Sequence, residues 1–274
     1  MPFRQLENYL RTYRKHAGLT QGEMAFLLGC LNSTEISRYE KRHRLPPLER
    51  TLAYEAVLGV PIAKLFAGMQ QRIRQDVEKR RLKLRPKLGI RKLADKIPAT
   101  DDLAEPLGEN RVLALDVHPR HFGFVVLEGP KRLLDWGVRN FRAGVNTVKV
   151  PAGKKLLALL NEFDPSIVVM REYGTSTLRN AAMVTTLQNQ IKTRKIPIKF
   201  ISHRTAKITL VGSHSNKHAV AVVLTKQLPI LASKLPPKRK PWESEDYRMS
   251  IFDAAALGVA YFSQASEQMR LAQD

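Results

Sequence analysis

The pattern of apolar residues changes across a basic stretch, and this change limits the fold more than any other feature. Residues 1–68 carry apolar side chains at helical spacing, interrupted at Gly18, Gly29, Pro46, Pro47, Gly59 and Pro61. From residue 110 onward, strand-type apolar runs come first and long helical patterns follow. No internal repeat of solenoid length connects the two regimes. A chain of 274 residues has room for two domains. The pattern therefore divides it into a helical domain over 1–68, a basic linker over 69–109 and a second domain over 110–274.

Charge narrows the partner. Lys and Arg number 46 against 25 Asp and Glu, a formal net charge of +21. An excess of this size implies a polyanion, because each cation set against a phosphate releases a condensed counterion. A membrane surface fits poorly, since no apolar run suits a spanning helix and no signal peptide opens the chain. The low complexity of a purely electrostatic binder is mostly missing. Cys30 stands alone, which excludes an internal disulfide framework, fits a cytoplasmic protein, and reads as a small core residue. In the linker, Arg72, Arg74, Lys79, Arg80, Arg81, Lys83, Arg85, Lys87, Arg91, Lys92 and Lys96 read two ways, as a solvated tether or as a clamp on phosphates. The first part of the linker can continue as a helix up to Pro86.

Residues 6–68 read as four or five short helices. Leu10, Tyr13 and Arg14 lie on the first, and Thr20 with Glu23 forms a capping box that starts the second. Gly29 lets the chain turn, and Asn32 or Ser33 caps a third helix. Two short helices around a glycine turn present the second of them to a major groove. The string GLTQGEMAFLLG…STEISRYEKRHRLPPLERTLAYEAVLGVPIAKLF closely resembles the Xre/Cro-type helix-turn-helix family. The resemblance implies that Gln21 touches phosphate, that Ser33, Thr34, Ser37 and Arg38 meet base edges or nearby phosphates, and that Leu28, Ile36, Leu48, Leu52 and Leu58 are core. It departs from the family after the recognition helix, where His43 takes a turn position often given to glycine. Arg42 and Arg44 beside it suit a phosphate-facing turn.

The second domain begins with three consecutive strands, VLALD ending on Asp116, then HFGFVVLE and LLDWGVRNF. A helix over 153–162, a buried strand ending on Glu172, a helix over 180–195, the strand IPIKFIS and a final alanine-rich helix carrying Asp253 complete the order. This is the order of a ribonuclease H-like α/β domain with a mixed five-stranded sheet, which places Asp116, Glu172 and Asp253 at its three acidic positions. Converging carboxylates ionise together only when a cation neutralises them. Two hard divalent ions, Mg²⁺ or Mn²⁺, would activate a water and stabilise the leaving oxygen of a phosphodiester.

Over residues 110–265 the chain further resembles RuvC-like Holliday-junction resolvases, in the run leading to Lys217 and in the helix FDAAALGVA. The resemblance implies that Asp116, Glu172 and Asp253 bind metal, and that Lys217 contacts a phosphate near the scissile bond. Tyr173 either stacks on an unpaired base or serves as a core aromatic. His118, just past Asp116, reads either as a hydrogen-bonding or ligating neighbour or as a surface-turn histidine, and the other histidines form no pair with ligand spacing. Where the family carries a fourth ligand one turn before the last aspartate, this chain has Ser250. Asp246 falls on the same helix face but two turns away. The basic loop SKLPPKRKPW, with Lys238, Arg239 and Lys240, is either a lip that grips DNA or a solvated connection, and its place ahead of the last helix, next to the expected metal site, favours the lip.

Together these features predict a metal-dependent DNA endonuclease of the junction-resolving type, anchored by its helix-turn-helix domain, homodimeric and associated with a bacterial nucleoid. The alternative is a DNA-binding transcriptional regulator whose ribonuclease H-like domain is inactive.

Overall fold

A computed structural model describes residues 6–88, 111–141, 149–172, 178–212, 216–240 and 242–271. The chain divides into two compact units, Met1–Gly108 and Glu109–Asp274. Tyr173 lies outside the described residues.

The first unit contains α1 (Leu10–His16), α2 (Gln21–Leu27), α3 (Ser33–Glu40), α4 (Leu48–Leu58), α5 (Ile62–Leu65) and α6 (Ala67–Leu88). The capping box forms as its sequence predicts. The Glu23 amide donates to Thr20 Oγ1 at 3.2 Å, and the Thr20 amide donates to Glu23 Oε2 at 2.7 Å. Asn32 caps α3, its side chain accepting from the Thr34 and Glu35 amides. Gly29 turns the chain between the two helices at φ +63°. After α3 the left-handed residue is Arg42, at φ +65°, rather than its neighbour His43. The His43 amide instead closes back on the Arg38 carbonyl at 2.9 Å. Proline does not end α6 either, since Pro86 stands inside its last turn.

Leu10, Met24, Leu28, Ile36, Tyr39, Tyr54 and Leu65 form the core of this unit, with Cys30 packed at its edge. Leu48 and Leu52, expected in that core, are 73% and 52% exposed. The inner face of α4 is instead carried by Tyr54, with Ala53, Val57 and Leu58 against it. The error is one of phase, because several periodic assignments fit an eleven-residue helix that is apolar on two sides.

In the second unit, β1 (Arg111–Val117), β2 (His121–Glu128), β3 (Leu133–Asn140), β4 (Ile167–Arg171) and β5 (Ile198–Ile201) form one sheet in the order β3-β2-β1-β4-β5. The first three strands are antiparallel neighbours, while β4 runs parallel to β1 and β5 parallel to β4. The helices are α7 (Lys149–Phe163), α8 (Leu178–Thr193), α9 (His203–Val211), α10 (Lys217–Gln227) and α11 (Met249–Leu271). This is the mixed five-stranded sheet with covering helices that the order of elements in the sequence predicts. All seven residues of β1 are buried, as required of a central strand covered on both faces. Alternation along β1 sends Val112 and Ala114 into the core shared with α11, and Asp116 has the same parity.

Gly123 makes this packing possible. It pairs directly with Asp116 across β1 and β2, and a Cβ there would lie 2.1 Å from the Ser250 carbonyl oxygen at the start of α11. The missing side chain lets α11 lie on the sheet within one turn of Asp253. Gly123→Ala is expected to cost about 1–3 kcal/mol by overpacking against backbone that cannot move aside. Chemical denaturation of the full chain measures this cost.

Candidate active site and nucleic-acid interface

β1 carries Asp116 into the interior, where it is 0% exposed. Its Oδ2 lies 2.6 Å from His118 Nε2, across the turn that joins β1 to β2. Its Oδ1 is buried without a hydrogen bond, and the nearest cation is Arg171 Nη1 at 3.6 Å. The His118 ring stacks on His121 at 4.6 Å. The hydrogen bond to Asp116 raises the His118 pKa against the opposing effect of burial, and the Asp253 charge adds to the rise. His121 is pushed the other way, by burial and by the neighbouring imidazole.

Asp253 comes from α11 and is nearly buried. Its Oδ1 is 3.1 Å from His203 Nε2, and its Oδ2 accepts from Lys217 Nζ at 3.1 Å. Both partners are the first residues of their helices, α9 and α10. Lys217 also donates to Glu245 at 3.0 Å, so its ammonium bridges two carboxylates. Burial alone would lift the Asp253 pKa, but the hydrogen bond from His203 and the charge on Lys217 bring it below the ordinary carboxylate value. Burial also opposes charge on Lys217, yet the Asp253 charge and the Glu245 hydrogen bond raise its pKa on balance.

Two expectations from the sequence are corrected. Asp246 is not on the helix of Asp253, because α11 begins only at Met249, and Asp246 pairs with Arg248 at 2.6 Å. The acidic residue from that segment that reaches the site is Glu245. His203, which showed no ligand spacing, touches Asp253, and His118 makes the hydrogen bond to Asp116 that was one of its two readings. Ser250, at the position of the family's fourth ligand one turn before Asp253, is buried and donates to the Tyr247 carbonyl at 2.7 Å.

Glu172 stands one residue past β4 and is exposed, its amide donating to the Ile201 carbonyl at 3.0 Å. The β1–β4 register and the alternation of β4 bring Arg171, not Glu172, to the side of Asp116. Among the described residues, no three His, Cys, Asp or Glu side chains converge as a metal cage. The Asp116 carboxylate, with one oxygen unmatched by a hydrogen bond, is the kind of donor that a hard divalent ion takes.

In the first unit, Ser33, Thr34 and Arg38 project from α3 into solvent, with Ser37 half-buried among them. Arg42 and Arg44 are exposed in the turn that follows. Gln21 opens α2, but its amide donates inward to Glu40 Oε2 at 2.8 Å. Residues 10–65 match the helix-turn-helix family. This unit is a helix-turn-helix DNA-binding domain.

No curated relative matches the chain. Solved structures similar to it include T. thermophilus RuvC in complex with a Holliday junction substrate, at 19% identity and TM-score 0.46, covering 57% of this chain and 95% of that one. The yeast mitochondrial Holliday junction resolvase is similar at 15% identity and TM-score 0.41, covering 59% of this chain and 81% of that one. Among the described residues, no helix is long and apolar enough to cross a membrane. Lys238, Arg239 and Lys240 are exposed on the loop ahead of α11, in the same unit as Asp116 and Asp253. The helix-turn-helix domain and this acidic site are the two places where chemistry concentrates.

Proposed function

We propose that the chain is a cation-dependent DNA endonuclease of the junction-resolving type, held on DNA by its helix-turn-helix domain. One observation above all supports this reading. A carboxylate fully removed from water, Asp116, keeps an oxygen without a hydrogen bond on the sheet face that α11 covers with Asp253. A buried acceptor left unmatched is a costly arrangement that an ion or a reacting group explains.

Asp116 and Asp253 would hold Mg²⁺ or Mn²⁺, with Glu172 at the neighbouring strand end as the third carboxylate. Such a pair of ions supplies charge neutralisation at the phosphodiester and a nucleophilic water at neutral pH. Lys217 is placed to exchange its carboxylate partners for a phosphate oxygen. His118 and His203 orient the two aspartates. Gln21, Ser33, Thr34, Ser37, Arg38, Arg42 and Arg44 engage duplex through the helix-turn-helix domain, while Lys238, Arg239 and Lys240 grip the backbone from the loop ahead of α11. Symmetric incision of a four-way junction needs two sites, which favours a homodimer. The setting is the cytoplasm, at the nucleoid.

A second reading has its own support. Asp253 is already held by His203 and Lys217, and Asp116 by His118 and Arg171. If those ion pairs persist, the domain binds DNA structure without cutting, as in a regulator. Incubation with a labelled four-way junction, a linear duplex and an RNA–DNA hybrid in Mg²⁺ or Mn²⁺ separates the two. The nuclease reading expects paired nicks in the junction, leaving 5′-phosphates. An intact junction in both ions favours the regulator.

A further inference from the structure

The chain has two tryptophans, and they differ sharply. Trp136 is 5% exposed in the sheet core, whereas Trp242 is 79% exposed on the loop ahead of α11. We propose that Trp242 is a stacking platform for an unpaired nucleobase. The proposal rests on the nucleic-acid reading above and adds a site to it.

Three features of the loop support this assignment. Trp242 sits in a turn closed from both ends, where the Glu243 amide donates to the Lys240 carbonyl at 3.1 Å and the Lys240 amide donates to Glu243 Oε2 at 3.1 Å. The ring is therefore presented by a fixed turn, so little order is lost when it engages a ligand. Second, Lys240 Nζ stands 5.8 Å from the ring centroid, with Lys238 and Arg239 exposed just before it. A flat π-surface beside an ammonium matches what a nucleotide offers, a base joined to a phosphate. Third, the acidic residues of the same loop are already engaged, Glu243 in the turn, Glu245 with Lys217 and Asp246 with Arg248. The exposed charge on the loop is left positive.

The loop also borders the acidic site. A cavity of about 900 Å³ is lined by Pro236, Pro237, Lys238, Arg239 and Glu243 on one side and reaches Lys217, whose ammonium touches Asp253. A strand whose phosphates follow this basic rim has a base near the indole. The base must be unpaired, because bases within a duplex are already stacked on both faces and offer only their edges to a protein. A branch point or a single-stranded arm supplies such bases.

The test uses the full chain without divalent ions, so that nothing is cut, and reads tryptophan emission during titration. The probes are a blunt duplex and the same duplex carrying a single-stranded thymidine arm. Emission should be quenched by the armed duplex and much less by the blunt one. Trp242→Ala should weaken armed-duplex binding by about tenfold, as expected for loss of one stacked base, and leave blunt-duplex binding unchanged. Trp242→Phe should restore most of that affinity while abolishing the quench. Equal affinity of Trp242→Ala and parent for the armed duplex overturns the platform, as does equal quenching by both probes, and in either case DNA binding stands. A chain that binds neither probe overturns the nucleic-acid reading and the platform with it.

Discussion

Asp116→Asn is expected to reduce junction cleavage by on the order of a hundredfold or more without lowering the melting temperature. The amide keeps the carboxylate's shape and still offers an oxygen to His118, which lies 2.6 Å from Oδ2. What it removes is a charge that is 0% exposed and whose other oxygen has no hydrogen bond. The partners left behind, His118 and Arg171, are 27% and 29% exposed and keep contact with water, so loss of cutting should come with little change in melting temperature. The substitution also has a pH signature. The hydrogen bond to Asp116 raises the His118 pKa above its ordinary 6.5. The stability from that pairing is fully present below pH 6.5 and fades as pH rises through the elevated folded value. The variant lacks that contribution, so any advantage it holds over the parent should be largest at alkaline pH. Gel cleavage assays and calorimetry across pH measure both effects. A variant that cuts like the parent removes Asp116 from the chemistry.

Glu40→Ala should cost the helix-turn-helix domain about 3–5 kcal/mol, a large fraction of an ordinary domain's stability. Glu40 is 5% exposed and takes three donors: Arg14 Nε at 2.5 Å, Arg14 Nη2 at 3.1 Å and Gln21 Nε2 at 2.8 Å. The pair joins α1 to α3 and holds the first residue of α2 between them. Truncation leaves the buried Arg14 guanidinium facing the Leu19 carbonyl, at 2.6 Å, with no carboxylate beside it where Glu40 stood. The cost arises from that stranded charge, and the double variant Arg14→Met/Glu40→Leu should recover much of it. Circular dichroism melts of the parent, both single variants and the double variant read the coupling directly. Additive single effects would mean the ion pair is not what holds the helices together.

Local chemistry was legible in the sequence, and register was not. The capping box at Thr20, the turn at Gly29 and the cap at Asn32 follow from residues within a few positions of one another, and all form as expected. The strand order was legible because apolar runs of strand length alternate with helix-length patterns. Asp116 and Asp253 were found by their place at the end of a central strand and on the last helix. Glu172 shows the limit of that reasoning. Its strand was correct, but a parallel register and a period of two bring Arg171 to face Asp116 instead. His203 lies 50 residues from the aspartate it touches, and Arg14 lies 26 from Glu40. No periodicity within an element reports a partner across the fold. The one available signal for His203 was its position at the first turn after the fifth strand, on the sheet edge where the carboxylates gather.

Mn²⁺ binding to the full chain decides whether the acidic end of the second unit holds a divalent cation. Titration at neutral pH, followed by the loss of the free-ion electron paramagnetic resonance signal, should show saturable binding to the parent. Asp116→Asn/Asp253→Asn should lose that binding while still retaining duplex through its helix-turn-helix domain. A parent that leaves Mn²⁺ free, or a double variant that binds it equally well, contradicts the account.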